Sequence, residues 1–554
     1  MNRRTFCNPV NINYQFQGYF CGRESADPAV VQFRGEYYLF ASHGGGYWVS
    51  DDLVNWNFIE VDLGKQPQFA LFAPATMVLG DRLYLTHSEG GDMLYSDDPK
   101  DPDSWVNIGH AFEWYDPALF LDDDGKVYLF DGLSNSSPLR VAELDPDNGM
   151  ALIEGPIDIF QSDRDRRGFE RRGDHNELDG EAPYLEGSWM FKHGGRYYLT
   201  YAVPGTEYST YCDGCAVADY VMGPYTYSES GPAVFKATGF MRGCGHGCLF
   251  ADKNGNLWKM DTVSVSVNHL FERRLCLFPA KIGADGELYT KTVRGDYPML
   301  MPHSVADPFT ECDAGWHLLS LGSASGASSC LDSEHGPEKA ADENMKDWWS
   351  AKTGDPGEWI SFDLGSVCGV NAVQVNFADQ NTRAVTGRHN GFSYRYTVEA
   401  SEDGKDWSVL IDRSGSTEDM PHEYFELDGP QDLRYFRLTN RGEVPAGGVF
   451  SVSGFRVFGK SGAAAPPEVP YFWAGICEDK RNMEVSWKPV EGAEGYVIRF
   501  GINKEERNTH WQVIGECSAL VTCLTAGNSY WVSVDSYNSG GYTEGHKIAR
   551  ADPD

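Results

Sequence analysis

The chain has 554 residues, enough for about three or four domains. A formal net charge of -35 repels phosphate backbones and anionic membranes, which argues against nucleic acid or a membrane as a partner, and no apolar stretch is long enough for a transmembrane helix. The opening MNRRTFCNPVNINYQFQGYF has basic residues but no apolar signal region, and 13 scattered cysteines read as mostly reduced thiols. A cytoplasmic protein is expected, or a secreted one if a signal sequence has been trimmed.

The first 300 residues repeat one pattern: a short motif, an apolar run, a Gly turn and an aromatic strand. In chain order the copies are DPAVVQFRGEYYLF from Asp27, APATMVLGDRLYLT from Ala73, DPALFLDDDGKVYLF from Asp116, EGSWMFKHGGRYYLT from Glu186 and HGCLFADKNGNLWKM from His246. Each reads as a β-hairpin. The first residue precedes the aromatic by 11 places in the first two copies (Asp27 to Tyr38, Ala73 to Tyr84) and by 12 in the others (Asp116 to Tyr128, Glu186 to Tyr198, His246 to Trp258), a difference assigned to turn length.

Five such units predict a five-bladed β-propeller in an all-β chain. The starts of the innermost strands, Asp27, Ala73, Asp116, Glu186 and His246, then ring one end of the axis. One Asp-Pro or Glu-Gly before a strand is ordinarily a turn residue. Three carboxylates in register in three blades read as a pocket, because packed like charges push one pKa upward and supply a general acid at neutral pH. Glu181, in the same EAPYLEGSW stretch as Glu186, stands 17 places before Tyr198, matches no other copy and is assigned to a loop.

The motifs ADPAVV, YDPALFLDDDG and EGSWMFKHGG, in this order, resemble the glycoside hydrolases of family 43 over residues 5 to 300. That resemblance implies Asp27 as general base, Asp116 as the carboxylate that tunes pKa and orients, and Glu186 as general acid. Ser188 stands where the family usually has Pro. GCGHGCLFADKNGNLW resembles the family's Gly-His-Gly segment, which implies His246 on the axis near a bound cation or water, with Ca²⁺ the expected ion and no metal needed for the chemistry. NHLFERRLCLFP implies that Arg273 or Arg274 binds sugar hydroxyls. GFERRGDHNELDGEAPYLEGSW resembles a sub-branch with a long insertion that walls the pocket. Phe72 and Trp114, shortly before two axial positions, are expected as an aromatic platform.

The blade pattern stops near residue 305. Residues 305–460 resemble a discoidin-like β-sandwich, with strands such as WISFDL and VNAVQVNF; such modules bind carbohydrate, sometimes with a structural Ca²⁺, or simply pack against a neighbour. SGAAAPPEVP (461–470) reads as a linker. Residues 471–554 resemble a fibronectin type III domain, with Trp487 as core tryptophan and Leu524 to Tyr530 as a tyrosine corner.

Cys212 and Cys215, with Cys244 and Cys248, have spacings that allow a zinc site, a disulfide or four separate buried thiols; the last is the expectation, because they flank a central strand and the axial histidine. The functional expectation is an inverting, exo-acting glycosidase releasing α-L-arabinofuranosyl or β-D-xylosyl residues from plant polysaccharide fragments. The alternatives are a galactosidase, galactofuranosidase or exo-galactanase on the same scaffold, or a carbohydrate-binding protein without catalysis.

Overall fold

A computed structural model describes residues 4–18, 22–382, 385–445 and 447–553. The fold is all-β, and its first 300 residues form a five-bladed propeller. The innermost strands are Ala29–Phe33, Ala75–Leu79, Ala118–Leu121, Glu186–His193 and Cys244–Ala251. Each leads an antiparallel sheet of four strands. Successive inner strands touch one another, and the fifth touches the first, so the ring is closed.

Blades 4 and 5 share a parallel bridge between Cys212 and Cys244. The circle is fastened by the N-terminal strand Thr5–Phe6, which pairs with Met299–Leu300 after the last blade. Asn8 reinforces this closure: its amide donates to the carbonyls of Leu277 (2.9 Å) and Gly295 (2.8 Å) and accepts from Leu277 N–H (3.0 Å). Between blades 1 and 2 the alternating residues Phe40, Tyr47, Phe69 and Trp105 pack edge-on or tilted, with centroids 5.1 to 6.5 Å apart.

The second domain is built on the long strands Trp359–Phe377 and His422–Asn440, flanked by Ser451–Lys460 and Tyr396–Ser401. Its core holds Trp349, Phe362, Phe436 and Phe455. Buried ion pairs join it to the propeller. Arg23 of the propeller forks onto Asp379 (2.8 Å) and Asp419 (2.6 Å), and Arg456, paired with Glu343 of its own domain at 2.8 Å, donates to the Asp296 carbonyl of the propeller. Buried pairs of this kind specify one docking geometry more than they add net stability.

The C-terminal region is a sandwich of two sheets: Phe472–Ile476, Met483–Trp487 and Ser518–Val521 on one side, and Gly495–Gly501, Thr509–Ile514, Tyr530–Asn538, Gly541–Thr543 and Ala549–Ala551 on the other. Trp487 is buried, and Tyr530 Oη accepts the Thr525 N–H at 2.8 Å. The Ala/Pro-rich stretch before it is extended but not loose: the carbonyls of Ala464, Pro466 and Pro467 accept from Asn538, Thr543 and Ser536.

Candidate active site

Left-handed backbone marks the axial end of the blades. Asp27, Ala73, Asp116 and His246 have φ of 53°, 40°, 45° and 46°. Each lies four residues before the strand residue that faces the blade's aromatic: Val31 facing Tyr38, Met77 facing Tyr84, Phe120 facing Tyr128 and Phe250 facing Trp258. In blade 4 Phe191 faces Tyr198, and the same count ends on Gly187, with φ 58°. The fifth equivalent position is therefore Gly187, and Glu186 stands one residue before it. The expected 12-place spacing assumed a long turn, but blade 4 turns through Gly194 and Gly195 alone, as blade 1 turns through Arg34 and Gly35.

The strained backbone is held by hydroxyls of the preceding blade. Ser42 Oγ accepts the N–H of Ala73 (2.7 Å), Ser88 Oγ that of Asp116 (2.9 Å), and Thr262 Oγ1 that of Asp27 (2.8 Å). These three lie four residues past the aromatic of their own blade, so one repeated contact sets the axial residues of neighbouring blades against each other. At His246 the acceptor is the carboxylate of Asp213, at 2.8 Å. Asp213 in turn binds the buried ammonium of Lys259 at 2.5 Å, with Asp261 at 3.1 Å from the same nitrogen.

Asp27, Asp116, Glu186 and His246 open into one cavity of about 430 Å³, together with Phe72 and Arg273. His246 Nδ1 lies 3.2 Å from Asp27 Oδ1 and 3.8 Å from Asp116 Oδ2. Arg273 donates to Asp27 Oδ1 at 3.0 Å and to Glu24, and Ser42 Oγ donates to Asp27 Oδ2 at 2.5 Å. Glu186 Oε1 accepts the phenol of Tyr211 at 2.6 Å.

These surroundings separate the carboxyl groups. Burial alone would raise Asp27, but the Arg273 guanidinium, His246 and the Ser42 hydroxyl hold it below its ordinary value of 3.8. Burial pushes Glu186 up from 4.5 to about 7; Tyr211 and Arg273 oppose the rise, and the negative charges of Asp27 and Glu207 assist it. Asp116 is raised well above 3.8 by burial and by repulsion from Glu186 and Asp27. Asp27 is thus held toward its ionised form while Glu186 keeps a proton toward neutral pH, which is the division of labour that a base and an acid require.

Two of the sequence-predicted binding residues stand elsewhere. Trp114 is buried between blades 2 and 3, its indole N–H on the His87 carbonyl at 3.0 Å. It stands two residues before Asp116, whereas Phe72 stands one before Ala73, and successive residues of an extended chain face opposite ways. Arg274 follows Arg273 on the same strand and for the same reason points away, donating to His422 Nε2 of the second domain at 2.8 Å. Glu181 is exposed and paired with Arg172 on the loop, outside the cavity. The cavity wall also uses Glu89, Arg172, Tyr184, Glu207 and Phe271. These lie in irregular loops without periodicity; the insertion before Glu186 signalled Arg172 and Tyr184, and the NHLFERRLCLFP segment holds Phe271.

The four cysteines form no common cluster, although Cys212 and Cys244 are backbone partners across the bridge between blades 4 and 5. Cys212, Cys215, Cys244 and Cys248 are free thiols that belong to four different apolar clusters. Burial pushes the Cys248 thiol up to about 12. Among the described residues no three His, Cys, Asp or Glu side chains are grouped to hold a metal ion.

Comparison with known proteins agrees with this architecture. Residues 21–288 match the profile of the glycosyl hydrolases family 43, and residues 324–453 that of the F5/8 type C domain. The chain therefore carries a family 43 glycosyl hydrolase domain followed by an F5/8 type C, discoidin-like domain. It is similar to a xylan 1,3-beta-xylosidase of Vibrio sp, 25% identical over 286 residues, which are 45% of this chain and 48% of that protein. It is also similar to an arabinoxylan arabinofuranohydrolase of Paenibacillus polymyxa, 28% identical over 210 residues, 31% of this chain and 29% of that protein. The chain thus spans about half or less of the length of these curated relatives. A crystal structure of xylan beta-1,4-xylosidase from Bacillus Halodurans C-125 aligns over 99% of this chain and 97% of its own, at 15% identity and a TM-score of 0.42.

Proposed function

We propose that the protein is an inverting glycosidase that removes terminal pentosyl residues, α-L-arabinofuranosyl or β-D-xylosyl, from plant polysaccharide fragments. The observation that carries this reading is the opposed titration of Asp27 and Glu186 in one cavity. Asp27 takes a proton from water as the water oxygen bonds to the anomeric carbon. Glu186 gives its proton to the glycosidic oxygen as the carbon–oxygen bond breaks. The cycle leaves Asp27 protonated and Glu186 ionised, and exchange with solvent resets both. Asp116, whose carboxyl is raised by burial and by the charges of Glu186 and Asp27, stands beside them as the orienting carboxyl. The arginine of the site, Arg273, fixes Asp27 and offers further N–H groups to sugar hydroxyls, and Phe72 offers an apolar face to the ring.

The sugar class rests on the relatives, whose names include xylosidases and an arabinofuranohydrolase. Exo action rests on the same relatives, several of which are named as xylosidases. The division of the chain at about residues 304, 460 and 470, and the fibronectin type III character of the last unit, belong to the same proposal and rest on the buried Trp487 and the Tyr530 corner.

A structural Ca²⁺ is better suited to the second domain than to His246, which faces Asp27 and Asp116 and whose backbone is held through Asp213 by the Lys259 ammonium. In the second domain Asp342 is pushed up to about 7 by burial and by Asp347, and Asp347 is itself paired with Lys339 at 3.3 Å, so no particular residues there are assigned to the ion.

The test is a panel of aryl pentosides and hexosides, with the anomer of the first product followed by NMR. Release of pentose with inverted configuration supports the proposal. Retention of configuration, or turnover of hexosides alone, contradicts it.

A further inference from the structure

The insertion before Glu186 contains consecutive arginines with opposite tasks. Arg171 turns outward to the C-terminal sandwich, donating to Asp479 Oδ2 (2.9 Å), Asn482 Oδ1 (2.6 Å) and the Thr522 carbonyl (3.0 Å). Arg172 turns inward to the cavity wall, where it binds Glu181 and reaches Glu207 Oε1 at 3.2 Å.

The clamp on this segment is wider than one side chain. Gly168 N–H donates to the Leu524 carbonyl at 2.7 Å, and Ala526 N–H to the Arg166 carbonyl at 2.7 Å. A Cβ on Gly168 would stand 2.4 Å from the Thr522 carbonyl, so the two chains meet without room for any side chain there. Arg481 of the sandwich donates to the Arg164 carbonyl at 3.0 Å and lies 3.1 Å from Asp179. The buried Asn176 holds the loop from inside through the Arg171 carbonyl at 2.8 Å. From this anchored stretch the chain runs to Tyr184, in the cavity wall, and then to Glu186.

We propose that the C-terminal sandwich is a positioning element of the active site, and that it holds Arg172 as a specificity-determining contact to the sugar on the leaving-group side. This rests on the glycosidase reading given above. The side follows from the acid. Glu186 must face the glycosidic oxygen, Glu207 is close enough to act on the Glu186 charge, and Arg172 is bonded to Glu207. Groups clustered at the proton donor flank the departing sugar. The guanidinium offers several donors in a fixed plane, suited to vicinal hydroxyls.

Two measurements test the proposal. In the first, kcat/KM is compared on a natural oligosaccharide and on the dinitrophenyl glycoside of the same terminal sugar, whose leaving group has no hydroxyls to bind. Arg172→Ala should lose about tenfold more on the oligosaccharide than on the dinitrophenyl glycoside. Asp479→Asn combined with Asn482→Ala, far from the cavity, should show the same split in the same direction. Equal losses on both substrates would overturn the assignment, because a merely structural role lowers both alike.

In the second, hydrogen exchange is followed across residues 164–185. The Asp479→Asn, Asn482→Ala variant should lose protection there while the blades keep theirs, and unchanged protection would overturn the clamp whether or not the enzyme is active. If the wild type hydrolyses no glycoside, the glycosidase reading and the role of Arg172 fall together, and the clamp is decided by exchange alone.

Discussion

The imidazole of His246 lies directly on the backbone of Gly187: a Cβ at residue 187 would stand 2.5 Å from the ring's Cγ. The glycine of the Glu-Gly pair thus serves two needs, a left-handed turn with φ 58° and the close approach of the ring that faces Asp27. Gly187→Ala should displace His246 and, through it, Asp27. A fall in kcat/KM of about 100-fold is expected on an activated aryl glycoside. A rate near that of wild type would mean that the ring's position is immaterial to the reaction.

The titration of Glu186 ties activity to stability. Activity requires its proton, so kcat/KM should fall as pH rises through about 7, while the acid limb, set by Asp27, lies below 3.8. Folding has the same sign. A carboxyl raised from 4.5 to about 7 contributes stability that is fully present below pH 4.5 and is lost as pH rises through 7. At about 1.4 kcal/mol per pH step the loss comes to about 3 kcal/mol at pH 8. Glu186→Gln cannot ionise. It should therefore be more stable than wild type at pH 8 by up to that amount and show little difference at pH 4, as read by denaturant unfolding. An equal effect at both pH values would contradict the assigned titration.

Phe72 and Trp114 divide binding from packing. Phe72 faces the cavity, so Phe72→Ala should raise KM several-fold with a small change in Tm. Trp114 is core, and Trp114→Phe removes the bond to the His87 carbonyl, which should cost about 1 to 3 kcal/mol of stability with KM unaltered. The reverse pattern would restore Trp114 to the binding site.

Removal of divalent cations should separate the domains. If the second domain holds a structural Ca²⁺, EDTA should lower its thermal transition and added Ca²⁺ should restore it. Initial rates of hydrolysis should be unaffected, since Asp27 and Glu186 would supply the base and the acid of the proposed reaction. Loss of activity that returns with Ca²⁺ would point back to His246.

The sequence made the propeller legible because one hairpin recurs five times, and with it came Asp27, Asp116 and the neighbourhood of Glu186. Its limit was the turn: counting back from Tyr198 reached Glu186, which lines the cavity, for a reason that fails, since Gly187 is the true fifth position. Side-chain direction was the second limit. Trp114 and Arg274 are neighbours in sequence of cavity-lining residues and point the other way, into an interblade core and a domain interface. Arg172, Tyr184 and Glu207 come together only through loops that the C-terminal sandwich and blade 4 hold in place, which no period in the sequence encodes.

The proposed reaction depends most on Glu186 as the proton donor. The direct test measures kcat/KM for wild type, Glu186→Gln and Glu181→Gln on a natural oligosaccharide and on the dinitrophenyl glycoside of the same sugar. A poor leaving group needs a proton as its bond breaks, and dinitrophenolate does not. Glu186→Gln should lose about 100-fold or more on the oligosaccharide and far less on the dinitrophenyl substrate. Glu181→Gln should show only a modest loss, without dependence on leaving-group acidity. If instead the dependence appears in Glu181→Gln and is absent from Glu186→Gln, Glu186 is not the acid and the assignment of this site is contradicted.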